Sequence, residues 1–144
     1  MRRKLVRMSL ALGAVILVAA LAACSGEAVR SVYTAAGDGS TPKDLVKTST
    51  FRGDDDLNVV VRLGSHSREL TVSAVFTGPA GEVYSTDALE ADNTVVEVVL
   101  GLDWEAQGAT FWTPGEWRVD IYVDEALEKT AHFTVQQTAL SPEG

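Results

Sequence analysis

The chain has 144 residues, 46% of them apolar and 22% charged, which suffices for one packed domain and excludes disorder throughout. Four of its 12 basic residues, Arg2, Arg3, Lys4 and Arg7, stand at the front, and every acid lies from Glu27 onward. Residues 24–144 therefore set eight basic residues against 20 acids, a formal charge of −12. That balance argues against nucleic acid as a partner and fits cationic partners, or plain solvation, better.

The chain opens MRRKLVRMSLALGAVILVAALAAC. A basic start leads into an apolar run from Met8 to Ala23, interrupted only by Ser9 and Gly13. As a helix that run rises about 24 Å, short of the ~30 Å hydrocarbon core. The segment 1–23 thus reads as a signal sequence rather than a permanent span. Its end, Leu21-Ala22-Ala23-Cys24, resembles the lipobox of bacterial lipoproteins. The resemblance implies a diacylglycerol on the Cys24 thiol, cleavage between Ala23 and Cys24, and a mature chain that begins at the lipidated cysteine. It implies a cell-envelope address, with the domain outside the cytoplasm and moored to a membrane. Ser25 is compatible with the outer membrane in a Gram-negative member of the class. Two or three acyl chains hold such a domain at a bilayer far better than one. Cys24 is the only cysteine, so the folded core must hold without an internal disulfide.

Residues 24–44 are small and polar, rich in Gly, Ser and Thr, and show no period of 2 or 3.6. They read as a flexible tether with a root-mean-square span of about 25 Å, with only a weak local strand signal at VRSVYT. From Leu45 the texture changes to short alternating runs. LVKTSTF (45–51) is followed by LNVVVRL (57–63), which puts Leu57, Val59, Val61 and Leu63 on one face. ELTVSAVFT (69–77) repeats the pattern, and GPAG (78–81) makes a turn. EVYST (82–86) comes next, then TVVEVVLGL (94–102), with Val96, Val98, Leu100 and Leu102 inward. EWRVDIYV (116–123) reverses at Asp124-Glu125 into LEKTAHFTV (127–135), whose inward set is Leu127, Lys129, Ala131, Phe133 and Val135. Val95, Val99 and Tyr122 face outward by the same alternation, as a candidate apolar strip on one sheet.

Seven such segments predict an all-β, single seven-stranded antiparallel β-sandwich over 45–136, with a tail at 137–144. This span resembles immunoglobulin-like and fibronectin-type-III-like domains in its strand count, its Pro-containing turn and its closing hairpin, and departs from antibody domains in lacking paired cysteines. Strand parity then places loops 52–56, 78–81 and 103–115 at the end away from the tether. Loops 64–68, 87–93 and 124–126 fall beside it.

The longest connection, DWEAQGATFWTPGE, carries Trp104, Phe111 and Trp112. Rings on a long loop make recognition surfaces, or plug the open end of a sandwich; as candidates for binding they are the first choice. Asp54, Asp55 and Asp56 offer adjacent carboxylates, the weak candidates for a Ca²⁺ site with Asp103 and Glu105, although no Asp-x-Asp-x-Asp-Gly spacing is present. Arg52-Gly53-Asp54 spells an integrin-type tripeptide and reads as coincidence. His66 and His132 read as surface residues, and Ser65 or Ser67 beside His66 is a poor basis for a hydrolase. No nucleophile elbow, zinc-protease helix or phosphate loop is present. The sequence thus points to a non-enzymatic protein-binding or envelope-assembly module without a cofactor, its partner an envelope protein. A cation-dependent adhesin-like module is the alternative, and an envelope hydrolase comes third.

Overall fold

The computed structural model describes residues 28–39, 41–103 and 111–137. The signal segment, Cys24 and Trp104 lie outside them. Strict alternation gives the plainest element: LTVSAVFT buries Leu70, Val72, Ala74 and Phe76 and leaves each intervening residue half exposed, as a strand with one face on a core must.

Ten strands occur among the described residues: β1 (Val29–Ala36), β2 (Val46–Lys47), β3 (Thr50–Phe51), β4 (Leu57–Leu63), β5 (Leu70–Thr77), β6 (Val83–Ser85), β7 (Leu89–Ala91), β8 (Glu97–Leu102), β9 (Gly115–Val123) and β10 (Ala126–Val135). They form two sheets packed face to face. One has the order β2-β1-β4-β8; the other runs β3-β10-β9-β5-β6, with β7 also pairing β5. The core between them includes Leu57, Val59, Val61, Val72, Phe76, Leu100, Trp117, Ile121 and Phe133. The protein is an all-β two-sheet sandwich.

Several expectations need correction. Residues 24–44 are not tether throughout, because β1 pairs with β4 along its length, from Val29↔Leu63 to Ala36↔Leu57. A bulge between Val29 and Ser31 breaks its alternation, and of its buried positions Val29, Thr34 and Ala35 only the first is a large apolar side chain. The count of seven strands also fails, since ten occur among the described residues. The predicted strand 45–51 is two short strands in different sheets, since β2 pairs β1 while β3 runs parallel to β10. The chain crosses between the sheets at Thr48 and Ser49, where Thr48 N–H donates to Thr34 O and Ser49 O accepts from Thr134 N–H. The sandwich is therefore not wholly antiparallel.

Val96 is 65% exposed, because a turn closed by Val95 N–H on Asp92 O delays β8 to Glu97. Leu127 is exposed where a bulge between Leu127 and Lys129 shifts the register. Val99 and Tyr122 sit on different sheets, and Val95 packs against the core, so the three make no common strip. Asp120 faces away from the core yet is buried, held by Arg118 Nε at 3.3 Å and by the Thr130 hydroxyl at 2.7 Å. The predicted reversal holds: Asp124 and Glu125 both take positive φ, 50° and 69°, as the primed turn of a two-residue hairpin requires.

Candidate functional site

The predicted grouping of loops by end holds for the described residues, but the expected entry point does not: residue 45 lies at the end where Ala36 pairs with both Val46 and Leu57, and it is β1 that brings the chain in from the opposite end. Chain entry lies at the end where Gly64 N–H donates to Ala28 O; this end is called proximal. At the other, distal end, turns 52–56 and 78–82 meet residues 111–115. Trp112 N–H donates to Gly53 O at 2.8 Å and its indole Nε1–H to Asp55 O at 2.7 Å. The Thr113 hydroxyl donates to Glu82 Oε2. The tight turn at Gly78 and Gly81 is closed by Gly81 N–H on Gly78 O.

Of the three rings expected to make contact there, Trp112 does not qualify. It is 1% exposed and lies edge-on to Tyr84 and to Trp117, with ring centroids 5.3 and 5.9 Å away. Its neighbour Trp117 stacks on Phe133 and donates Nε1–H to Thr113 O. Trp112 is the plug that closes the core, which satisfies its single polar atom and seals the open end of two twisted sheets. Phe111, one residue earlier, is 40% exposed. Trp104 lies outside the described residues.

The acidic turn is built for its own geometry. Asp55 Oδ2 accepts from Arg52 N–H at 2.7 Å, and Asp54 Oδ1 lies 3.5 Å from Arg52 Nε. Among the described residues no group of three or more His, Cys, Asp or Glu side chains is placed to hold a metal ion.

At Glu82, burial acts to raise the pKa, but the bond from Thr113 and the backbone N–H groups around its own turn outweigh it and leave the carboxyl below its ordinary value. The Thr113 contact thus ties β6 to the segment that carries Trp112.

The proximal end has its own constellation. His66 Nδ1 lies 2.9 Å from Gly64 O and Nε2 lies 2.7 Å from Asp92 O. Carbonyl oxygens only accept, so two of them call for two ring N–H donors, which only the imidazolium supplies. The Gly64 carbonyl, more than any other group, holds the His66 pKa above its ordinary value. Both ring nitrogens face backbone carbonyls, not the Ser65 or Ser67 hydroxyl. Asp92 is held below its ordinary value by the Thr94 hydroxyl and N–H. Asp124 is lowered by the Thr71 N–H first and by Arg68, whose Nη1 is 2.7 Å from its carboxylate. The sequence offers His66, Ser65 and Ser67 but not the partner, because nothing in GSHSRE announces that Asp92, 26 residues on, will meet the ring.

No family model and no curated protein matches the chain. Solved structures do. An immunoglobulin-like protein from Pseudomonas aeruginosa superposes with a TM-score of 0.45 at 12% identity, over 76% of this chain and 95% of that one. The alkylpurine DNA glycosylase AlkC of Pseudomonas fluorescens, bound to DNA containing an abasic site analog, gives 0.46 at 13% identity, over 78% of this chain and 31% of that one. Both are likenesses of fold.

Proposed function

We propose that the chain is a lipid-anchored cell-envelope protein, without enzymatic activity, that binds a protein partner through its distal end. The anchor rests on the lipobox-like segment ending at Cys24. The observation that carries the rest is the placement of chain entry and the 111–115 segment at opposite ends of the sandwich. Cys24 precedes Ala28 by four residues, a reach of about 14 Å at most, much shorter than a tether running to residue 44. Strand β10, ten residues long, then stands the distal loops about 30 Å further out. Phe111 offers an aromatic contact there, beside the acidic turn 52–56, whose charge favours a partner with a basic face.

The test is a crosslinking capture from intact envelopes with the acylated full chain. The reading expects a protein that is captured by the wild type and lost with Phe111→Ala, at unchanged melting temperature. The same captured set from both chains counts against distal contact.

A further inference from the structure

Three segments meet beside the point of chain entry: residues 28–30, 62–66 and 92–96. Gly64 N–H donates to Ala28 O, Leu63 N–H donates to Val96 O, and His66 bridges Gly64 O to Asp92 O. Together they frame a cleft of about 310 Å³. Its basic lining is Arg30, Arg62 and His66, with Ser65 and Asn93 as neutral polar groups, and among the described residues no Asp or Glu lines it. That is an unusual lining for a mature chain with a formal charge of −12.

The arginines are placed there by the backbone. Arg30 is the extra residue of the β1 bulge, opposite the Val29↔Leu63 and Ser31↔Arg62 pairs; bulges re-aim a side chain in this way. Arg30 makes no ion pair among the described residues. Arg62 is ion-paired with Glu97 through Nε, 3.6 Å from the carboxylate and beyond hydrogen-bond distance, a pairing that does not engage the donors of its outer fork. Of the nearby carboxylates, Glu97 is paired with Arg62, Asp92 is bonded to Thr94, Asp124 to Arg68 and Glu128 to Ala28 N–H, and none of the four lines the cleft. Screening over about 8 Å lets the cleft differ in sign from the domain as a whole. Its apolar wall, Val95 and Val96, is wider than an inorganic anion needs.

We propose that this cleft binds a phosphate ester, its phosphate against Arg30 and Arg62 and its organic part against Val95 and Val96. Guanidinium forks suit phosphate oxygens. Two sources share this chemistry, a phospholipid headgroup and a soluble ester. Only the first rests on acylation at Cys24, which would hold the proximal end within reach of headgroups.

The test uses the full chain in a maltoside detergent, titrated with glycerol 3-phosphate and followed at the Gly64, Ser65 and Asn93 amides by NMR. The expected result is saturable shifts at these three, with affinity weakened about tenfold in Arg30→Gln and in Arg62→Gln and melting temperature unchanged. Absence of saturable shifts, or equal affinity in both variants, overturns the proposal. A second arm reconstitutes the chain in phosphatidylglycerol or phosphatidylcholine vesicles. Shifts of the same amides in phosphatidylglycerol, absent in Arg30→Gln, identify the lipid as the source; shifts with the soluble ester alone identify a soluble ligand, the cleft chemistry upheld in both. A chain with unmodified Cys24 leaves the first arm intact, so failure of the anchor and failure of the cleft are separable.

Discussion

Replacing Trp112 by alanine separates a core plug from a contact residue. The ring is 1% exposed, packs against Tyr84 and Trp117, and donates its only polar hydrogen to Asp55 O. Removing a buried tryptophan costs about 3–5 kcal/mol in lost transfer energy and residual cavity. A domain of roughly 110 residues loses about 4 °C of melting temperature per kcal/mol, so Trp112→Ala should melt about 12–20 °C lower. Trp112→Phe keeps most of the ring and loses the bond to Asp55 O, for about 1–2 kcal/mol. Urea unfolding followed by far-UV circular dichroism measures both, since the signal does not depend on the residue removed. A cost under about 1 kcal/mol for Trp112→Ala, together with loss of a captured partner, would refute the plug and return the ring to the surface.

Other outcomes follow from the same geometry. His66 titrates above its ordinary value, so its contribution is whole below about pH 6.5 and is lost as pH rises through the folded-state pKa; His66→Gln should flatten the stability profile on that side of neutrality. Glu82, Asp92 and Asp124 titrate low, so their contributions are present above about pH 4.5 and fade as pH falls through the folded-state values. Thr113→Val should remove the Glu82 share of that acid dependence, read by thermal melts between pH 3 and 6. Glu125 holds a φ of 69° without a side chain suited to it, so Glu125→Gly should raise stability by about 0.5–1 kcal/mol in urea titration. Gly115 has a φ of 132°, and an added Cβ would lie 3.1 Å from Pro79 Cγ; Gly115→Ala should cost about 1–3 kcal/mol by the same titration.

Where one face of a strand meets the core and the other meets water, the sequence is legible. Leu70 to Phe76 buries only the residues its alternation names, whereas Leu57 to Leu63 and Trp117 to Val123 bury those and also Asn58, Val60 and Asp120 on the opposite face. The signal fails where tertiary partners replace apolarity. Strand β1 buries Thr34, whose hydroxyl donates to Thr48 O, and the bulge at Arg30 interrupts its period, so its residues resemble a linker. Asp120 looks solvent-facing until Arg118 and Thr130 are placed beside it. Trp112 illustrates the limit for the candidate site: a loop tryptophan reads as recognition or as plug, and only the positions of Gly53, Asp55 and Tyr84 decide between them. The proximal cleft depends on contacts among segments far apart in the chain, and no local pattern encodes it.

The proposed acylation of Cys24 underlies the proposed anchor and orientation, and intact-mass spectrometry of the protein extracted from membranes tests it most directly. A mature chain beginning at Cys24, heavier than the bare polypeptide by a diacylglyceryl group with or without a further acyl chain, is the predicted result. A chain that retains residues 1–23, or begins at Cys24 with a free thiol, would contradict the anchor and the outward orientation derived from it.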